Sequence, residues 1–356
     1  MISKQAHKEV SAAEARGQAQ QIAFAPIMFQ AVRLLWKSGI LAKLHNSNGL
    51  SEKQLSQELE LSSYAIDVLA SAGISAGVIT RDEGTLHLTK TGYFVYADKM
   101  TNVNMDFVHD VCYEGMHHLE EAIKRGRPEG LQVFGEWDTI YEALSSLPPE
   151  VRKSWLAFDH YYSDSAFPEA LKKIFQHRPT KIMDIGGNTG RWALACVNYD
   201  PSVNVTILDL PGQLRMMKAR TEGQNGADRI SGEPFNLFDE SKSLPSGYDA
   251  IWMSQFLDCF SGADIISLLI RARHAMSKDT RLYILETFTD RQRFSMAEHS
   301  LVMTSLYFTC MANGNSKMYR ASEMIGFVKQ AGLVVEEEYD DIGISHTLLV
   351  CRAQSH

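Results

Sequence analysis

No two of the five cysteines, Cys112, Cys196, Cys259, Cys310 and Cys351, stand in C-x-x-C spacing. That removes the usual zinc spacing and the dithiol redox motif. An odd number of thiols without a framework fits a reducing compartment. Positive charge is also short: 35 Lys and Arg face 43 Asp and Glu, for a net charge of −8. A nucleic-acid partner held by a generally basic surface is therefore not expected. No stretch approaches the roughly 18 consecutive apolar residues of a membrane span. The first 20 residues are polar and helix-prone, without the apolar centre of a signal peptide. Internal repeats and low-complexity tracts are missing as well. A cytoplasmic protein is the expectation.

What is present is ordinary globular material. Of 356 residues, 45% are hydrophobic and 22% charged, enough for a sizeable core and more than one domain. Three regions differ in pattern: 1–100, 101–178 and 179–356. In the first, residues 21–45 carry an apolar stripe too dense for an exposed helix. Ser51 reads as the cap of a following helix, with Glu52 and Gln54 in its first turn. Asp82-Glu83-Gly84 reads as a turn between two short strands. Helices followed by a hairpin make a winged-helix order. Residues 101–178 read as helical and aromatic, with a break at Pro148-Pro149. Beyond 179, apolar strands alternate with helices, which predicts an α/β doubly wound, mostly parallel sheet. The two last strands are joined near Gly343 and predict an antiparallel end.

The segment Asp184-Ile185-Gly186-Gly187-Asn188-Thr189-Gly190 lies between an apolar strand and a helix. Glycine there permits a tight turn and close approach of a ligand to the backbone. A dinucleotide fingerprint starting at Gly186 fails, because Asn188 and Arg191 stand where glycines are needed. Asp209 ends the next strand, about 20 residues on, where an acid suits ribose hydroxyls.

D-I-G-G-N-T-G, I-L-D-L-P, F-N-L-F-D and the run M-S-Q-F-L-D-C-F together resemble the class I S-adenosylmethionine-dependent O-methyltransferases. The subgroup resembled carries an N-terminal winged-helix dimerisation domain and acts on small phenolic or polyketide-type molecules. L-T-K-T-G (Leu88 to Gly92) and Ala331-Gly332-Leu333 resemble its wing and late motifs. The resemblance implies a Rossmann-like sheet, a homodimer and S-adenosylmethionine as cofactor. It implies that Asp184, Gly186, Gly187 and Gly190 surround the methionine end and that Asp209 and Leu210 meet the ribose. Asn236 would stand beside the adenine amine, where the family usually has Asp, with Leu237 as its apolar platform. Ser254 takes the place of a lysine common in plant members.

The catalytic position departs from the family. Its base is the histidine of L-H-D-W, and a gapless match puts Asp258 there, Cys259 on the Asp and Phe260 on the Trp. Glu286 matches the first orienting glutamate, and Met318 falls on the second. A phenol titrates near pH 10, so the mismatch with an ordinary Asp is about 6 units, against about 3.5 for His. Asp258 assisted by Glu286, a more acidic hydroxyl or carboxyl acceptor, or a base such as His160 or His299 would each relieve it.

Helical spacing aligns Trp155, Phe158, Asp159 and Tyr162 on one face, and Met296, His299, Met303 and Tyr307 on another. Such stripes serve core packing or a pocket. The resemblance makes Phe158, Tyr162, His299 and Met303 acceptor walls and Asn313 an acceptor contact. His117 and His118 are adjacent with no third ligand, so no metal site is read. Residues 1–100 hold ten Lys and Arg against nine acids, which argues against DNA recognition by that region. Two readings remain: methyl transfer to a small hydroxyl or carboxyl acceptor, or a silent cofactor-binding relative acting as scaffold or partner.

Overall fold

A computed structural model describes residues 10–237, 239 and 241–354. The first nine residues of the polar N-terminal stretch, and Phe238 of the F-N-L-F-D motif, lie outside the described residues. The chain forms two compact units, residues 1–105 and 106–356.

The first unit opens with helix α1 (Ala12–Lys37), capped by Ser11, whose hydroxyl accepts from Glu14 N while Glu14 returns the bond to Ser11 N. Helix α2 (Ile40–His45) and strand β1 (Leu50–Ser51) follow. Ser51 caps α3 (Glu52–Leu59) in a reciprocal box with Gln54, and α4 (Ser63–Ser75) comes next. Strands β2 (Ile79–Asp82) and β3 (Thr85–Leu88) form the hairpin, with Glu83 and Gly84 both at positive φ in its two-residue turn. The sheet has a third member that the sequence reading omits: β1 pairs antiparallel with β3, Leu50 opposite Leu86. Thr89 caps α5 (Lys90–Ala97), and α6 (Lys99–Phe107) follows. Leu35, Ile40, Leu41, Leu55, Ile66 and Leu86 are fully buried in this unit's core. Along α1 only Val32 and Leu35 are buried, while Ile22, Phe24 and Ile27 are exposed.

In the second unit, α7 (Leu119–Arg125), α8 (Ile140–Ala143) and the long α9 (Pro149–Ile174) precede the large sheet. Strand β4 (Lys181–Ile185) leads through the glycine turn into α10 (Arg191–Tyr199). Strand β5 (Asn204–Asp209), α11 (Pro211–Thr221) and β6 (Ile230–Pro234) come next. Then follow β7 (Ala250–Ser254), α12 (Gly262–Ala275), β8 (Arg281–Glu286), α13 (Ser295–Tyr307) and α14 (Ala321–Gln330). Strands β9 (Leu333–Ile342) and β10 (His346–Ala353) close the chain. Their order in the sheet is β6-β5-β4-β7-β8-β10-β9. All neighbours are parallel except β10, which runs antiparallel to both β8 and β9. Edge strand β6 is absent from the sequence reading. Its residues I-S-G-E-P contain glycine and proline and are mostly exposed, so they carry no apolar run.

Apolar clusters cover both faces of this sheet. Met183, Ile185, Ile251 and Met253 contribute to one, Ile182, Val205, Ile207 and Trp252 to the other. This is the pleat alternation of a doubly covered sheet. The chain order turns about between β4 and β7. In such sheets the ends of the strands at that switch leave a crevice.

Candidate active site

That crevice is a cavity of about 200 Å³ within the second unit. Asp184, Gly186, Gly187, Asn188, Asp209 and Leu210 line it from the ends of β4 and β5. Asn236, Leu237, Ser254 and Asp258 line it from beyond β6 and β7. Gly186 has φ +74, and an added Cβ there would sit 2.3 Å from the Phe256 ring. At Gly187 an added Cβ would lie 2.5 Å from Asp184 Oδ2. Only hydrogen in place of a side chain leaves this turn open. Gly190, expected among the cofactor residues, does not line the cavity. It starts α10 at φ +76 and faces Met217 Cγ, 2.8 Å from where a Cβ would stand.

The carboxylate of Asp209 accepts from two backbone N–H groups, Asn188 at 2.8 Å and Leu210 at 2.7 Å. Burial nevertheless raises its pKa to about 6. Asp184 is 2% exposed and its pKa is raised well above the ordinary value by burial, with the charge of Asp209 adding to the effect. Three buried acceptor-capable atoms, Asp184 Oδ2, Asn188 Oδ1 and Ser254 Oγ, have no hydrogen-bond partner among the described residues. An orphaned buried acceptor is costly unless a donor arrives. S-adenosylmethionine carries such donors in its ammonium, ribose hydroxyls and adenine amine. The acceptor-rich floor and the open glycine turn fit it.

Helix α9 holds this turn from outside the sheet. Asn188 Nδ2 donates to Asp159 Oδ2 at 3.3 Å, His160 Nε2 and Thr189 Oγ1 are hydrogen-bonded at 3.1 Å, and Arg191 pairs with Asp164. Burial and the charges of Arg191 and Arg220 lower the His160 pKa to about 3, so this imidazole is neutral near pH 7.

Asp258 sits in a 3₁₀ turn, Leu257–Cys259, and is 6% exposed. The Cys259 thiol donates to its Oδ1 at 3.4 Å, and burial raises its pKa to about 6. Glu286, at the end of β8, does not face the cavity. Its Oε1 accepts from the backbone N–H of Phe256 at 3.0 Å and of Leu257 at 2.8 Å. Glu286 thereby holds the turn that carries Asp258. Burial, then the charge of Asp258, push its own pKa well up.

The other half of the cavity is aromatic. Phe107 and Phe158 stack at 4.0 Å, Tyr307 meets Phe107 edge-on at 4.9 Å, and Trp155 Nε1 donates to Tyr307 Oη at 2.7 Å. Two π-helical turns, Val108–Cys112 and Phe308–Ala312, follow directly after Phe107 and Tyr307. Their wide i→i+5 bonds, Tyr113 N to Val108 O at 2.8 Å and Asn313 N to Phe308 O at 3.0 Å, end both helices at the cavity. Such turns are common at functional sites, and no sequence pattern announces them.

Four expected acceptor residues are placed elsewhere. His299 and Met303 are exposed in the single chain, and only the last turn of α13, Thr304 and Tyr307, reaches the cavity with Phe308. The apolar stripe on α13 is real, but only its C-terminal end is packed. Tyr162 lies behind Phe158, in edge contact at 5.1 Å, and does not line the cavity. Asn313 is buried and serves the chain itself: Nδ2 donates to Cys259 O and Ser316 Oγ, both at 2.7 Å, and Oδ1 accepts from the N–H groups of Asn315 and Ser316. Conversely, Asp159, Tyr141 and Gln255 line the cavity without having been assigned a site role from the sequence. Gln255 has φ +46 and its Oε1 is hydrogen-bonded to the buried His346 Nε2 at 2.8 Å. Among the described residues no group of three or more His, Cys, Asp and Glu is arranged to hold a metal. Nor is any described helix long and apolar enough to cross a membrane.

Residues 16–85 match the Dimerisation2-like domain and residues 100–334 the O-methyltransferase domain. An L-tyrosine C(3)-methyltransferase of Streptomyces lavendulae is 22% identical over 302 residues, covering 84% of this chain and 81% of the relative. A phenazine-1-carboxylate N-methyltransferase of Pseudomonas aeruginosa is 26% identical over 226 residues, 62% of each chain. In fold, the solved mitomycin 7-O-methyltransferase matches with TM-score 0.75 at 16% identity, over 96% of this chain and 98% of that one. With the O-methyltransferase domain spanning most of its length, the chain belongs to that family and is an S-adenosylmethionine-dependent methyltransferase acting on small molecules.

Proposed function

We propose that the protein methylates a hydroxyl oxygen of a small aromatic or conjugated acceptor, with Asp258 as the general base and Glu286 as its positioning residue. The observation that carries this reading is Asp258 on the cavity wall, buried, in a turn pinned by Glu286 through two backbone N–H groups. S-adenosylmethionine, when bound, supplies an electrophilic methyl group. Asp184, Gly186, Gly187 and Asn188 would hold its methionine end, Asp209 and Leu210 its ribose, and Asn236, Leu237 and Ser254 its adenine side.

The chain's own residues then have defined tasks. Phe107, Phe158 and Tyr307 confine a planar ring and exclude water, which orients the accepting atom. Asp258 withdraws the hydroxyl proton. Burial brings its basicity closer to that of a phenol than an ordinary Asp, so proton transfer is less uphill. His160 is a weaker choice, since its pKa is lowered to about 3. A homodimer accompanies this reading. It is supported by the match to a Dimerisation2-like domain and by the exposed apolar side chains Ile22, Phe24 and Ile27 on α1.

The test is twofold. Calorimetry with S-adenosylhomocysteine should show binding that Asp209→Ala weakens. Transfer of labelled methyl from S-adenosylmethionine should be seen with hydroxyaryl acceptors. Binding without turnover on any acceptor would favour the scaffold alternative, and methylated carbon or nitrogen in the product would overturn the hydroxyl assignment.

A further inference from the structure

We propose that the hydroxyls of Tyr141 and Tyr307 form a two-donor site for a carbonyl oxygen conjugated to the accepting hydroxyl, so that the acceptor is a hydroxyaryl ketone or hydroxyquinone. This assignment deepens the methyltransferase reading above and rests on it.

Both tyrosines line the cavity. The half-buried ring of Tyr141 packs on the apolar cluster that holds Phe107 and Tyr307. Its main chain is tied to α11, where Gln213 Nε2 donates to Tyr141 O at 2.7 Å. Its hydroxyl points the other way, to the neighbourhood of Cys259, Tyr307 and Asp258. Tyr141 Oη is buried and makes no hydrogen bond of good geometry among the described residues. The polar group beside it is the Cys259 thiol, whose own hydrogen goes to Asp258 Oδ1 at 3.4 Å. Sulfur is a weak acceptor, so the phenol proton is left without a good partner. Tyr307 is left the same way: its oxygen accepts from Trp155 Nε1 at 2.7 Å, and no described residue receives its proton. Burial raises the pKa of both phenols well above the ordinary value. Both therefore stay protonated and keep a hydrogen to donate.

The acceptor's hydroxyl proton goes to Asp258. What two neighbouring O–H groups still bind is an oxygen with free lone pairs. A carbonyl oxygen has two and carries no proton, so it takes both donors. The orphaned donors Trp192 Nε1 and Arg191 Nε stand on α10, directly after the glycine turn, and fall to the cofactor half. Conjugation gives the carbonyl contact a chemical use. As the hydroxyl loses its proton, negative charge spreads to the carbonyl oxygen, where the two phenols meet it. The acceptor becomes more acidic, which narrows the gap that an ordinary phenol leaves to Asp258.

Protein saturated with S-adenosylhomocysteine should be titrated with ortho-hydroxyacetophenone and its naphthalene homologue, and in parallel with counterparts in which ethyl replaces acetyl. At least one ketone is expected to bind about tenfold more tightly than its ethyl counterpart. Tyr141→Phe should remove most of that preference while the affinity for S-adenosylhomocysteine stays within about twofold. A wild type that prefers neither ketone overturns the inference, as does a preference that survives in Tyr141→Phe. So does an S-adenosylhomocysteine affinity weakened about tenfold or more in that variant, since the hydroxyl would then serve the cofactor. Should Tyr141→Phe not fold, Tyr307→Phe carries the same test with the same outcomes. A wild type that fails to bind S-adenosylhomocysteine defeats the methyltransferase reading itself, a separate failure.

Discussion

The backbone N–H of Asn188 donates to the carboxylate of Asp209 across 2.8 Å, tying the glycine turn after β4 to the end of β5. Asn188 adopts φ +48 to do so, and its side chain reaches Asp159 on α9. One residue thus joins a strand-end acid to the helix that carries half of the aromatic clamp.

Asp209→Ala removes the partner of Asn188 N–H and the expected ribose contact together. Hydrogen bonds to a charged group contribute about 1.5–3 kcal/mol, so affinity for S-adenosylhomocysteine should fall by about tenfold to a hundredfold. Calorimetry on a variant with native circular dichroism checks it. Unchanged affinity would mean that the ribose lies elsewhere.

Gly186→Ala forces a side chain into positive φ and into the Phe256 ring. The backbone term alone costs about 1–2 kcal/mol. A lowered melting temperature with loss of S-adenosylhomocysteine binding is expected. A variant that melts and binds like wild type would show that the turn opens differently.

Asp258→Asn should lower kcat by about 10²–10⁴ on a cognate acceptor. The base must be a carboxylate to act, so wild-type kcat/KM should rise with pH through about 6, the raised Asp258 value, and level off above it. Below that midpoint activity is lost as the carboxyl protonates. A pH–rate profile flat from 5 to 8 with active Asp258→Asn would remove Asp258 from the chemistry.

Asn313→Ala should act on stability and not on acceptor binding, because the side chain bonds Cys259 O, Ser316 and two backbone N–H groups. Leaving those groups unpaired should cost about 1–3 kcal/mol, read in denaturant titration. A raised KM at unchanged stability would restore it as an acceptor contact.

Phe24→Asp combined with Ile27→Asp places charge on the exposed apolar face of α1. Light scattering should give a dimer for wild type and a monomer for the double variant. A monomeric wild type at micromolar concentration would leave that face unexplained.

Local rules account for what the sequence reveals. The glycine turn, its strand and the acid ending the next strand are legible because tight turns and buried strands demand particular residues at short range. Ser51 with Gln54, and Asp82-Glu83-Gly84, follow from capping and turn chemistry in the same way. The edge strand β6 escapes because an edge needs few apolar side chains. The stripe on α13 misleads because helical periodicity says which residues share a face, not how much of that face is covered. His299 and Met303 share the face of Tyr307, yet only Tyr307 is buried.

The sequence by itself determined the capped helices and hairpin of the first unit, the alternation of strands and helices beyond 179 and the glycine turn. Tertiary structure alone decided what those residues meet. It set Glu286, 2% exposed, behind the turn of Asp258 and not in the cavity. It brought Phe107, Phe158 and Tyr307 together from three distant segments through two π-helical turns. It also left Asp159 half-buried beside Asn188 with its pKa raised to about 7. The physical reason is that desolvation and like-charge repulsion depend on what surrounds a group in space, and residues far apart in sequence supply those surroundings.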